Sequence, residues 1–155
     1  MKKWGIIPMA VLLLGLTVRG ASAFSCGVTT TPVGFGSYDV FSGSPLDGQG
    51  AVALNCNNPD RKPILVTVAI SSGQGGSFNP RQMIRSGGSE RLNYYLFLDP
   101  AKTTIWGDGT GGSSVITQTV SRSLSLNAGI YGRIPERQDA WVGSYSDTLT
   151  VTVSW

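Results

Sequence analysis

The stretch Ser146-Asp147-Thr148-Leu149-Thr150-Val151-Thr152-Val153-Ser154-Trp155 alternates polar and apolar residues without a break from Thr148 onward. Successive side chains of an extended chain project to opposite faces. Leu149, Val151, Val153 and Trp155 therefore share one face, and Thr148, Thr150, Thr152 and Ser154 the other. This is the pattern of a half-buried strand, and it runs to the last residue of the sequence. A strand in that place must pair within the fold or offer its free edge to another chain.

The same period recurs upstream. Ala51 to Cys56 sets Val52, Leu54 and Cys56 on one face, so Cys56 points inward with the core side chains. Ile64 to Ile70 places Ile64, Val66, Val68 and Ile70 against Leu65, Thr67 and Ala69, which fits a strand covered on both faces. Leu92 to Leu98 alternates Leu92, Tyr94, Leu96 and Leu98 with Asn93, Tyr95 and Phe97. Val115 to Val120, Leu124 to Ala128 and Gly129 to Ile134 are shorter strand segments. Turn-forming clusters separate them: Asp47-Gly48, Asn57-Asn58-Pro59-Asp60, residues 71–76, Ser86-Gly87-Gly88 and residues 107–114. No window after residue 23 carries a capped helical stripe. Short strands with Gly-rich turns predict an all-β fold, a β-sandwich, with no repeat or linker dividing it.

The beginning of the sequence addresses the compartment. Lys2 and Lys3 precede an apolar run from Ile6 to Val18, and Ala21-Ser22-Ala23 is a small-x-small cleavage site. A secretory signal peptide over residues 1–23 is expected, leaving one domain over residues 24–155. The competing membrane anchor needs roughly 20 apolar residues, and this run is shorter and broken by Pro8. Removing Lys2, Lys3 and Arg19 from the twelve basic residues leaves nine, against nine acidic ones. The precursor's charge of +3 thus leaves with the leader. A near-neutral domain gives no support for nucleic-acid or anionic-membrane binding. In an oxidising compartment the only two cysteines allow a single pairing, Cys26 with Cys56, with two buried free thiols as the alternative. A bridge closing a loop of about 30 residues contributes on the order of 3–4 kcal/mol in the chain-entropy model.

Chemistry-bearing residues are sparse. The chain contains no histidine, which removes Ser-His-Asp and Cys-His catalysis and His-ligated zinc. Asp47, Asp60 and Asp108 stand beside Gly or Pro, and Asp39 two residues from Ser37, where an Asp caps a turn through the backbone, and no carboxylate pair suggests a glycosidase. Trp106-Gly107-Asp108-Gly109-Thr110-Gly111-Gly112 lacks the further acidic ligands of a calcium loop and the Lys-Ser/Thr ending of a phosphate loop. It reads as a hairpin turn with a packed Trp. No enzyme, metal or small-molecule cofactor is expected. Most of the large aromatics read as core, with Trp141 and Phe78 as candidates for exposure in their Gly- or polar-rich surroundings.

Taken in order, a longer series of segments carries a resemblance. Cys26 is followed by Val33-Gly34-Phe35-Gly36-Ser37-Tyr38-Asp39, Cys56 and Arg81-Gln82-Met83. Next come Leu92-Asn93-Tyr94-Tyr95-Leu96-Phe97-Leu98-Asp99 and Trp106-Gly107-Asp108-Gly109-Thr110. Tyr131-Gly132-Arg133-Ile134-Pro135, Gln138 and Gly143-Ser144-Tyr145-Ser146-Asp147 complete it. Across essentially all of residues 24–155 the chain resembles the spore coat protein U domain, the family of the Csu-type (archaic) chaperone-usher pilus subunits.

The resemblance implies an incomplete immunoglobulin-like β-sandwich that lacks its last strand. A periplasmic chaperone would fill the groove beside the C-terminal strand, and the arm of a neighbouring pilus subunit would replace it at the outer-membrane usher. Sheet-edge pairing would supply affinity, and pockets for alternate side chains would supply register. On that reading Leu149, Val151, Val153 and Trp155 border the groove, and the motifs from Tyr131 to Pro135 and from Tyr145 to Asp147 hold strands and turns near it. One departure stands out. Polymerising subunits carry an alternating arm before the first cysteine, whereas cleavage after Ala23 leaves Phe24-Ser25-Cys26. That implies a subunit that accepts a strand without donating one, at a fibre tip, or else a single coat domain. A self-contained secreted sandwich that binds a glycan or surface is the alternative from a different class.

Overall fold

The structure, a computed structural model, describes residues 23–155. The leader expected over residues 1–23 lies, apart from Ala23, outside the described residues. Nine strands form among them: β1 (Ser25–Gly34), β2 (Leu46–Asn57), β3 (Ile64–Ile70), β4 (Arg81–Arg85), β5 (Arg91–Phe97), β6 (Ile116–Val120), β7 (Ser123–Ile134), β8 (Tyr145–Ser146) and β9 (Val151–Ser154). They make a larger sheet in the order β1-β2-β7-β5-β4-β8 and a smaller one in the order β6-β3-β9. Every neighbouring pair is antiparallel. One core lies between the sheets. Val52, Leu54, Leu92, Leu96 and Ile134 enter it from the larger sheet, and Val66, Val68 and Ile70 from the smaller.

The longest pairing is β2 with β7, in register from Leu46↔Ile134 to Asn57↔Ser123. Asp47 faces Arg133 in this ladder, and the two make a bidentate pair, Nε to Oδ1 2.7 Å and Nη2 to Oδ2 2.9 Å. The guanidinium, joined by Lys102 at 3.1 Å, holds the Asp47 carboxyl down at about 2. What reads as two segments, Leu124–Ala128 and Gly129–Ile134, is thus one strand. The glycines that suggest a break serve another purpose. Gly132 faces Gly48 across the ladder, and a Cβ on Gly132 would lie 2.6 Å from the Phe35 ring. Val33 and Phe35 cross the two strands there, so glycine marks a close approach within a continuous strand.

Two strands escape the pattern reading. In β1 most residues are exposed, and Thr29-Thr30-Thr31-Pro32 shows no apolar alternation. It is an edge strand, where one face need not be apolar. In β4 the inward positions are Arg81 and Met83. A charged residue at a core position conceals the period. Arg81 is fully buried because its Nε and Nη2 donate to Ser71 O and its Nη2 also to Trp106 O.

The ten-residue closing strand is corrected. Tyr145–Ser146 pairs with β4 in the larger sheet, whereas Val151–Ser154 pairs with β3 in the smaller. Residues 147–150 cross between the layers. Ser71 fixes the crossing at one end, its N–H donating to Thr150 O and its Oγ accepting from Thr150 N–H. The alternation survives because both sheets share one core, so Leu149, Val151 and Val153 stay half-buried against it throughout.

Candidate functional site

The sandwich is open along one side. The β1 edge of the larger sheet and the β9 edge of the smaller are not joined, and a cleft of about 1070 Å³ lies between them. One wall runs from Thr30 to Phe41, the other from Ala140 to Val151, and the floor is core from both sheets, including Val52, Ile70, Met83, Leu92, Leu96 and Ile134. Among the described residues β9 has β3 as its one strand neighbour, so its other edge faces the cleft. An apolar floor beneath an unpaired strand edge suits a segment that brings backbone donors and acceptors together with apolar side chains.

Three side-chain systems shape the walls. Tyr38 Oη donates to Pro135 O at 2.8 Å and accepts from Gln138 N–H at 2.8 Å. The Gln138 amide in turn accepts from Asn93 N–H and donates to Asn93 O, at 2.8 and 2.9 Å, as a neighbouring strand would beside β5. Tyr38, Asn93, Pro135 and Gln138 thus form one clamp holding the first wall to the larger sheet. Phe35 sits on Gly132 with its ring at an edge-on 71° to Tyr94, centroids 6.0 Å apart.

On the opposite wall Asp147 accepts from Tyr94 Oη at 2.6 Å and from Gln74 N–H at 2.8 Å. Burial and the adjacent Asp147 carboxylate push the Tyr94 phenol well above its ordinary range, so it acts as a donor. Gly73, at φ +73°, makes this approach possible, because a Cβ there would run into the carboxylate. Asp147 is the pin at which the chain leaves the larger sheet for the smaller.

The rim is apolar and uncovered. Phe41 is 91% exposed, Val142 96% and Trp141 65%. Tyr145 Oη donates to Trp141 O, and Arg85 lies 6.0 Å from the Trp141 ring while paired with Glu90. Phe78 differs from its expected exposure: it is half-buried, with the Arg81 guanidinium 5.0 Å over its ring.

The residues singled out from sequence fall into separate places. Leu149 and Val151 line the cleft, with Phe35, Gly36, Tyr38, Tyr94, Gly143, Tyr145 and Asp147. Val153 packs on the core farther along β9, and Trp155 meets Phe24 at a tilt with centroids 5.2 Å apart; neither lines the cleft. Cys26 and Cys56 are bonded to each other and are direct partners in the β1–β2 ladder. Trp106, Gly107, Asp108 and Gly109 lie away from the cleft. Asp108 Oδ1 accepts from Thr110 N–H and Oγ1, closing a turn, while the Trp106 side chain is fully buried. Tyr131 packs against Gly129 on β7. Neither the Thr30–Val33 wall nor the floor is legible as a site in the sequence. The floor reads as ordinary core in sequence, and only the gap between two edges turns core into a site.

Among the described residues no group of three or more His, Cys, Asp or Glu side chains could hold a metal ion. The family model described as the Spore Coat Protein U domain matches residues 13–152. The chain is 25% identical over 151 residues to Protein U of Myxococcus xanthus, covering 89% of this chain and 79% of that one. Its fold is similar to a chain in the crystal structure of the CsuC-CsuE chaperone-tip adhesion subunit pre-assembly complex from archaic chaperone-usher Csu pili of Acinetobacter baumannii. There the TM-score is 0.59 at 19% identity, over 85% of this chain. This chain spans only 40% of the length of that one, and the likeness is one of fold. The architecture is an all-β, immunoglobulin-like sandwich, incomplete where the β9 edge has no strand neighbour among the described residues.

Proposed function

The chain belongs to the Spore Coat Protein U domain family, and from that premise we propose that it is an exported structural and adhesive subunit of a chaperone-usher fimbria or coat. Its sandwich is completed by a strand from another protein. The observation that carries this reading is the cleft itself, whose floor is the domain core and whose rim includes the free edge of β9. A donor strand there pairs with β9 through its backbone and lays alternate apolar side chains into the floor. The partners are then a periplasmic chaperone during export, an outer-membrane usher and a neighbouring subunit in the assembled product.

Strand addition binds the folded state and not the unfolded chain, so it stabilises by mass action. Urea unfolding of the isolated domain should show a low midpoint. A synthetic 12-residue peptide of alternating Val and Thr, at about a hundred times its Kd, should add about 2.7 kcal/mol. Full cooperative stability alone, with no shift at saturating peptide, would mean a self-contained binding domain presenting Phe41, Trp141 and Val142.

Position in the assembly follows from where the mature chain begins. Ser25 already pairs with Asn57, so a donating arm can come only from residues before Ser25. Cleavage after Ala23 leaves Phe24 alone there and places the subunit at a terminus, with no arm to pass on. N-terminal sequencing of the exported protein should return Phe-Ser-Cys. A mature end upstream, near Leu16, would supply an arm and remove the terminal assignment.

A further inference from the structure

The gap between β1 and β9 is open over only part of its length. Residue numbers rise along one wall as they fall along the other, so the two strands run antiparallel across the gap. Thr30–Gly34 lies across from Leu149 and Val151, and Phe24 meets Trp155. None of residues 24–29 and none of residues 152–155 lines the cleft. At that end Phe24 and Val153 pack onto the core, and the Trp155 ring meets Phe24 at a tilt, centroids 5.2 Å apart. The closed stretch covers roughly four to six residues, about 13–20 Å at the rise of an extended chain.

We propose that Phe24 and Trp155 form a clasp that closes one end of the acceptor cleft and sets how long a strand can enter without rearrangement. This rests on the strand-acceptor reading and adds a length-selecting pair to it. The clasp is built so that little else must move. Behind Phe24 the β1 wall is fixed, because Ser25 pairs with Asn57 and Cys26 is bonded to Cys56. Behind Trp155, β9 is held to β3 by Thr67↔Ser154 and Val68↔Val153. Phe24 itself precedes the first paired residue, and Trp155 follows the last residue of β9 and is 60% exposed. Opening is therefore the withdrawal of two side chains at the surface, with both ladders intact. A short strand occupies the open part and leaves the clasp closed. A long strand reaches the far end only while the clasp is open, so its capture is slowed by the closed fraction. An aromatic pair of this kind corresponds to roughly a two- to tenfold factor in that equilibrium.

The test compares two fluorescein-labelled alternating Val/Thr peptides, of 7 and 12 residues, spanning about 23 and 40 Å when extended. Association rates are measured by stopped-flow anisotropy with the wild-type exported protein and with Phe24→Ala and Trp155→Ala, each checked for its mature N-terminus by mass. Both variants should capture the 12-residue peptide roughly two- to tenfold faster than wild type and the 7-residue peptide at an unchanged rate. Two independent variants guard against one that misfolds. Unchanged 12-residue rates, or equal changes for both peptides, overturn the clasp while leaving the acceptor cleft in place. If wild type binds neither peptide, the acceptor reading itself falls, and the clasp with it.

Discussion

Trp106→Ala is expected to lower the unfolding free energy by about 3–5 kcal/mol, the range for deleting a fully buried large aromatic. Several connections meet at this residue. Its backbone N–H donates to Leu96 O on β5, while its indole Nε1–H donates to Val68 O on β3, one strand from each sheet. Its carbonyl accepts from Arg81 Nη2, and the next residue's carbonyl accepts from Ile70 N–H. The side chain is 0% exposed, so its loss leaves a cavity between the layers and removes the indole donor from the Val68 carbonyl. Trp106→Phe separates the two contributions. It keeps most of the volume and loses the N–H, and should cost about 1–3 kcal/mol. Urea unfolding followed by circular dichroism measures both. A loss below about 1 kcal/mol for Trp106→Ala would mean that the 98–115 segment does not staple the sheets.

That staple illustrates what sequence shows and what it hides. Trp106-Gly107-Asp108-Gly109 is legible as a turn with a packed Trp, because Gly, Asp and Gly in series have a local conformational meaning. That the Trp bridges two sheets depends on contacts with Leu96 and Val68, which no local pattern encodes. The alternating strands are legible for the same local reason, and β3 and β5 fall close to where their apolar faces place them, whereas β2 also takes in Asp47-Gly48, which reads as a turn. β4 is not, since Arg81 breaks its period and is tolerated only because the Ser71 and Trp106 carbonyls face it. Alternation from Leu149 to Val153 is real, yet it conceals a change of sheet, because period 2 reports which face meets the core and not which strand is the neighbour. The cleft was least visible. Its floor residues look like any core, and the Tyr38–Gln138–Asn93 clamp joins residues far apart in the chain. The family resemblance points to the last strand, but Val153 and Trp155 lie beyond the cleft. Thr30–Val33, the unremarkable half of an exposed edge strand, forms its opposite wall.

Val151→Asp should nearly abolish accumulation of the exported protein, while Thr150→Asp, one residue away, should be close to silent. Val151 is half-buried on the core, lines the cleft and faces Ile70 in the β3–β9 ladder. A carboxylate there must be desolvated against Ile70 and the apolar floor, a cost of several kcal/mol for an unpaired charge. On the proposed strand-acceptor reading it would also place a charge where an incoming strand lays an apolar side chain, so strand-peptide binding should be lost with stability. Thr150 is exposed, and its ties to Ser71 are made by its backbone N–H and carbonyl, which Asp retains. Its cost should stay within about 0.5–1 kcal/mol. Accumulation and urea midpoints, the latter measured with and without the 12-residue peptide, separate the two faces. Equal damage at both positions would mean that the Thr150 face is covered in the working protein, and the cleft would then have to be sought on the other side of β9.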